Sequence, residues 1–146
     1  KAAQKFGASD VSIVSQEVDV VARLRELTNY EGVDVAITAC PDGLAQSQAL
    51  AATGIRSRIS LFGGLPKDKS TIQFDSNDVH YAEKAVFGAF ASNHPQYHKA
   101  LELISSRQVD VRPLITHTFP LAQFHEAIAT CKRGEGVKVV IIPNPD

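Results

Sequence analysis

Apolar positions along this chain change period several times, and each change marks an element. Val20, Leu24 and Leu27 recur at helical spacing, which predicts a helix from a cap at Ser15 to about Thr28, ended by Asn29 to Gly32. Val33 to Ala39 is mostly apolar without clean alternation, the pattern of a central parallel strand buried on both faces. Pro41 is then expected to open a helix as its first residue, where a missing N–H does no harm. Ala45, Ala49, Ala51 and Ala52 let that helix lie close to a sheet, and it stops near Gly54. Arg58 to Phe62 reads as the next strand, ending in Gly63 and Gly64. Earlier, Val11 to Val14 is a short strand candidate, with Gly7 suited to the left-handed residue that follows a helix end. Strand, helix, strand, helix, strand at this spacing predicts an α/β fold with a parallel sheet and right-handed crossovers.

The pattern turns irregular and polar from Leu65 to Tyr81, with Thr71 to Phe74 as a short extended piece. Lys84 to Phe90 reads as a strand, and Asn93-His94-Pro95 opens a helix carrying Tyr97, Leu101 and Ile104 on one face. Val111 to Leu121 is extended. A helix from about Leu121 to Thr130 is expected to bury Leu121, Phe124 and Ile128, with Lys132, Arg133 and Gly134 at its end. Val137 to Ile142 is the last strand.

Composition narrows the class. The chain has 146 residues, of which 44% are hydrophobic and 21% charged, enough for one compact core without signs of disorder. A net charge of −1 gives no basic surface for nucleic acid or anionic membrane, so small molecules are the expected partners. No apolar run approaches a membrane span and no signal peptide precedes Lys1, which makes the cytoplasm the expected location. Cys40 and Cys131 lie far apart in apolar contexts, and both read as buried free thiols.

Candidate chemistry is sparse. Neither a nucleophile elbow nor Cys-x-x-Cys nor His-Glu-x-x-His occurs. His94 and His98 are four apart and could share a helix face, but zinc wants three or four ligands and a third is not in sight. His117 reads as a histidine satisfied by backbone hydrogen bonds, and His80 and His125 carry weaker signals. Gly63 and Gly64 after a buried strand admit two readings: a plain turn, or a backbone that approaches a ligand at the carboxyl edge of an open sheet.

One stretch carries more. Ile115-Thr-His-x-Phe-Pro-Leu121 followed by Lys138-Val-Val-Ile resembles the carboxyl-terminal end of the medium-chain dehydrogenase/reductase family, most closely its zinc-dependent alcohol and polyol (sorbitol-type) dehydrogenases. The resemblance continues in order through Lys-x-Phe-Gly-Ala at the start, Gly32-Val-Asp34-Val-x-Ile, Leu61-Phe-Gly63 and Leu101-x-Leu-Ile104-Ser-Ser. It implies a Rossmann-like parallel sheet with helices on both faces, truncated at its amino terminus: the first two strands, the Gly-rich turn and a separate catalytic domain are missing. Residues 1–146 would then be a partial dinucleotide-binding domain, with about 111–146 returning toward the absent catalytic domain.

The same resemblance implies NAD or NADP as the parent's cofactor and zinc as its metal, with the zinc ligands absent here, and a small alcohol as substrate. It assigns nicotinamide contacts to Phe62, Gly63 and Gly64, a second set to Ala89 and Phe90, the loop near the ribose and nicotinamide to Cys40 and Pro41, and a pyrophosphate contact to Lys138. It further implies a homodimer through the strand at 84–90, where Ala85, Val86, Phe87 and Ala89 form an apolar edge. By this reading the chain alone is inactive. Two alternatives stand beside it: a non-enzymatic α/β module for binding or assembly, and the zinc-free quinone-reductase branch of the same family.

Overall fold

The structure, a computed structural model, describes Gly7 and residues 9–143. The chain divides into two compact units, Lys1–Ala91 and Ser92–Asp146, each described by itself. The first holds helix α1 (Val20–Leu27), strand β1 (Val33–Thr38), helix α2 (Gly43–Ala52), strand β2 (Thr53–Leu61), helix α3 (Ser76–Tyr81) and strand β3 (Ala85–Gly88). Its three strands are parallel in the order β1-β2-β3, so the parallel α/β reading holds, but β1 is an edge strand and not central, and Val35 and Ile37 are exposed because no further strand pairs with it among the described residues. Central β2 carries the core: Ile59 is 0% exposed, opposite Ala36 on one side and Val86 on the other, with Leu50 and Ala52 of α2 packed nearby in the buried set. β2 is irregular at its start, because five residue steps from Thr53 to Arg58 face two from Val33 to Val35. Arg56, at φ 57°, takes up the extra chain.

Several boundaries move for local reasons. α1 begins at Val20, not after Ser15, because the Asp19 carboxylate accepts the Ala22 N–H at 3.0 Å, while 15–17 form a turn in which the Glu17 N–H reaches the Val14 carbonyl at 3.0 Å. Pro41 likewise lies outside α2; Asp42 caps it, accepting the Leu44 N–H at 3.0 Å. Val11 to Val14 is not a strand. Four residues hold a strand only through a ladder partner, and among the described residues none lies alongside. Gly7 has the expected left-handed φ of 64°, whereas the helix expected before it lies outside the described residues. Within 65–81 the sequence pattern shows no helix, yet α3 forms there, capped by Asp75, which accepts the Asn77 N–H at 2.9 Å; Thr71 to Phe74 pairs with no strand.

The second unit holds helix α4 (His94–Ser105), strand β4 (Ile115–Pro120), helix α5 (Phe124–Arg133) and strand β5 (Lys138–Ile142), with β4 and β5 parallel. Asn93 and Gln96 cap α4 reciprocally, at 3.0 and 2.8 Å, with Pro95 in the first turn. Gly134 ends α5 at φ 69°. The expected burial of Leu121, Phe124 and Ile128 fails: all three are exposed, and Ala127 and Thr130 are the buried residues of α5. A helix against only two strands rests on its small residues, leaving large neighbours at the rim. Tyr97, Leu101 and Ile104 of α4 are exposed too. Both cysteines are free, but exposed rather than buried. Their apolar neighbours in sequence do not cover them, since Cys40 lies in the loop after β1 and Cys131 on an exposed position of α5. No helix among the described residues is long and apolar enough to cross a membrane.

Candidate functional site

Parallel strands end on one side, so the loops that follow β1, β2 and β3 gather at one edge of the first unit. They are Ala39-Cys40-Pro41, Phe62-Gly63-Gly64 and Ala89-Phe90. Gly63 is the tightest point. Its N–H donates to the Thr38 carbonyl at 2.6 Å, and a Cβ on it would stand 2.5 Å from the Cys40 oxygen and 2.8 Å from the Cys40 carbon and nitrogen. The glycine pair therefore divides its labour. Gly63 is needed because the chain passes itself there, whereas Gly64 faces open space with nothing within 4 Å of a Cβ.

Gln46 of α2 completes the turn. Its side chain is buried, and its Nε2 donates to the Gly63 carbonyl at 2.9 Å. The Ala89 N–H donates to the Leu61 carbonyl at 3.2 Å, which carries the β2–β3 pairing one residue beyond β3 and ties the third loop to the second. Beyond it Phe90 is 99% exposed, and Phe62 is exposed as well. Among the described residues, the backbone groups of Phe62 and Gly64 take part in no hydrogen bond. The edge thus offers unpaired peptide groups, two aromatic rings and a free thiol, a set suited to a flat polar ring rather than to acid–base work. Cys40, Phe62, Gly63, Gly64, Ala89 and Phe90 come together here as three consecutive strand-end loops.

Beside this edge, α1, β1 and α2 enclose a groove of ≈ 710 Å³ lined by Val20, Leu24, Val35, Ile37, Leu44 and Ala45, with Cys40 at its rim. A second hollow, ≈ 750 Å³, lies at the opposite, amino ends of the strands and contains none of the cofactor-contact residues expected from the sequence. That end is held by side chains. Arg25 donates to the Ala51 and Thr53 carbonyls at 2.9 and 3.2 Å. Lys84, its side chain 1% exposed, donates to the Leu50 carbonyl at 2.8 Å and to Asp78 at 2.6 Å. Two cations from outside α2 thus satisfy its final carbonyls and complement its dipole.

In the second unit Lys138 is exposed at the first position of β5, with no ion pair among the described residues. Thr116 fixes the backbone there: its hydroxyl accepts the Val137 N–H at 3.0 Å and donates to the Lys138 carbonyl at 3.3 Å. His117 meets that hydroxyl through Nδ1 at 3.1 Å and stacks on Phe119, so a side chain satisfies it, not the backbone. His80 and His125 sit edge-on to Tyr81 and Phe124. His94 and His98 share α4, and among the described residues no group of three or more histidine, cysteine or acidic side chains is arranged to hold a metal.

Two exposed arginines of this unit each shift the titration of a carboxylate partner. The Arg112 side-chain hydrogen bond, backed by its backbone N–H, lowers the Asp110 carboxyl from 3.8 to about 2. The hydrogen bonds that Arg133 donates to Glu135 and Glu126 raise its pKa, and the bond it makes to Glu135 lowers that carboxyl in turn.

Residues 1–106 match the zinc-binding dehydrogenase family. The chain belongs to that family. It is 28% identical to the sorbitol dehydrogenase of Halalkalibacterium halodurans, covering 98% of this chain and 41% of the relative. It is 31% identical to the L-threonine 3-dehydrogenase of Bacillus subtilis over 97% of this chain and 40% of the relative. Among solved structures, the 2R,3R-butanediol dehydrogenase from Bacillus subtilis superposes with a TM-score of 0.82 at 26% identity, over 98% of this chain and 40% of that one. The α/β chain is thus the Rossmann-like part of an alcohol-dehydrogenase fold, and it spans about two fifths of the length of these relatives.

Gln46, Lys84 and Arg25 are the residues that sequence reasoning missed. Each acts on a backbone carbonyl distant in sequence, and no local pattern announces such a bond.

Proposed function

We propose that this chain supplies one wall of the nicotinamide-dinucleotide site of a zinc-dependent alcohol or polyol dehydrogenase and performs no hydride transfer by itself. One observation carries the reading: the loops after three consecutive parallel strands meet at one carboxyl edge with the peptide groups of Phe62 and Gly64 unpaired and Gly64 facing open space. Open α/β sheets take ligands at that edge.

The residues present fit a nicotinamide ring. Its carboxamide carries both a donor and an acceptor, complementary to a backbone carbonyl and an N–H. Phe62 and Phe90 offer apolar faces beside it, and Cys40 lines the approach. When bound, the dinucleotide supplies the hydride acceptor for an alcohol carbon; this chain's part is to hold the ring and exclude water from one of its faces. Lys138, in the second unit, is assigned to the pyrophosphate as a charge-assisted donor, and about 111–146 to the return toward a catalytic domain. Among the described residues no histidine, cysteine or acidic set is arranged to hold zinc.

The exposed apolar side chains of Val86 and Phe87 on β3, an edge strand, favour a homodimer through that strand. Light scattering should give a dimer at tens of micromolar, and Val86→Pro should dissociate it, since proline removes a ladder donor; a monomeric native chain would rule the contact out.

Calorimetry tests the cofactor reading. NAD should bind this chain no tighter than millimolar, on the order of −4 kcal/mol, because no Gly-rich strand–helix turn that cradles phosphate occurs among the described residues. A micromolar constant, or turnover of sorbitol with NAD by the chain alone, would overturn it. In a full-length dehydrogenase containing this sequence, Lys138→Ala should weaken cofactor binding by roughly 1–2 kcal/mol.

A further inference from the structure

Three restraints hold Gly63. Its N–H bonds to Thr38, its Cα lies against the Cys40 backbone, and its carbonyl accepts from Gln46 Nε2 at 2.9 Å. The first two are backbone contacts that follow from the strand ends and the glycine. The third depends on one side chain. We propose that Gln46 is a positioning residue for the cofactor-facing turn: it occupies the Gly63 carbonyl, so that the Phe62 and Gly64 peptide groups are the ones left to read a ring carboxamide. This rests on the nicotinamide reading of the Phe62–Gly64 turn and makes it more specific.

The geometry of α2 makes Gln46 a rigid donor. It lies one turn before Leu50 on the same helix face, and Gln46 and Leu50 are 4% and 3% exposed. A buried amide that gives up its only carbonyl partner incurs the full desolvation cost of an unpaired donor. The Gly63 peptide plane is therefore fixed by the same packing that fixes α2 on the sheet. Because Gly63 cannot rotate its carbonyl outward while Gln46 holds it, recognition passes to the backbone N–H and carbonyl groups of Phe62 and Gly64, which have no other partner among the described residues.

The test uses the isotopically labelled 146-residue chain and nicotinamide mononucleotide as the probe. In the native chain the mononucleotide should shift the Phe62 and Gly64 amides while the Gly63 carbonyl and the Gln46 side-chain amide stay in place. Movement of the Gly63 carbonyl on titration would show that the ligand takes that group, and would overturn the proposal without any variant. Gln46→Met, close in volume, and Gln46→Glu, which sets an acceptor against an acceptor, each remove the donor. Either should speed amide exchange at Gly63, whose N–H is bonded to Thr38, by about tenfold, leave Ile59 unchanged, and weaken the mononucleotide response by a similar factor, as loss of one buried hydrogen bond requires. Unchanged exchange and unchanged response in both variants would remove Gln46 from this role while leaving the nicotinamide reading intact. A native chain whose turn ignores the mononucleotide would overturn the nicotinamide reading itself, and the inference with it.

Discussion

The two ends of the three-stranded sheet are built from different materials. At the amino ends, side chains dominate: Arg25 and Lys84 bind the last carbonyls of α2, Asp78 pairs with Lys84, and Arg56 pairs with Glu83 at 2.7 Å. Backbone conformation is unusual there as well, with Asn29, Tyr30, Arg56 and Glu83 all at positive φ. At the carboxyl ends most contacts are backbone on backbone, joined by the two buried side chains of Thr38 and Gln46, which donate to the Ser60 and Gly63 carbonyls, and several peptide groups stay unpaired. One end holds the unit together and the other keeps its polar groups available. A sheet can leave hydrogen-bonding capacity open at one edge only if its other contacts carry the stability.

That contrast can be broken by mutation, and the largest effect belongs to the amino end. Gly32 sits at φ 85°, and a Cβ there would stand 2.6 Å from the Gly54 nitrogen. Gly32→Ala combines left-handed strain with overpacking and should cost about 3 kcal/mol or more by urea denaturation. Lys84→Met should cost about 2 kcal/mol, since the Leu50 carbonyl loses a donor and Asp78 a partner; the figure lies below that of a fully buried pair because Asp78 retains solvent contact. At the carboxyl end, Gly63→Ala should cost roughly 1–2 kcal/mol by pushing the Cys40 loop away, while Gly64→Ala should stay within about 0.5 kcal/mol. Equal costs for the two glycines would erase their assigned division of labour.

The smallest effect is one of pH. Asp110 in the second unit titrates below its ordinary value, so its contribution to stability is present above about pH 4 and is lost as pH falls toward 2. Both partners are exposed, which keeps the change small. A carboxyl titration by NMR should place Asp110 near 2 and lose that displacement in Arg112→Ala; a midpoint of 3.8 in the native chain would remove the effect.

Much of the fold was legible in the sequence, for identifiable reasons. β1, β2 and β3 announce themselves as apolar runs ended by glycine or polar residues, and α4 by its Asn-His-Pro start. α3 escaped because six residues are too few to show a helical period, although Asp75 ahead of it is a cap that could have been read. Helix faces were found, but not what covers them: periodicity marks Leu101 or Phe124 as apolar, while burial depends on a neighbour that the sequence does not name. At the site, the glycine pair was visible and its division was not, because only the path of Cys40 shows which glycine is crowded. Gln46 was invisible altogether. Its bond spans 17 residues and uses a side chain that in a small-residue helix reads as surface.

Residue-resolved titration of the chain with NAD tests the central claim most directly. Amide shifts in the first unit confined to Cys40, Phe62, Gly63, Gly64, Ala89 and Phe90, saturating in the millimolar range, are the predicted result. Shifts centred on Tyr30, Arg56 and Glu83 at the amino ends, or none at the carboxyl edge, would contradict it.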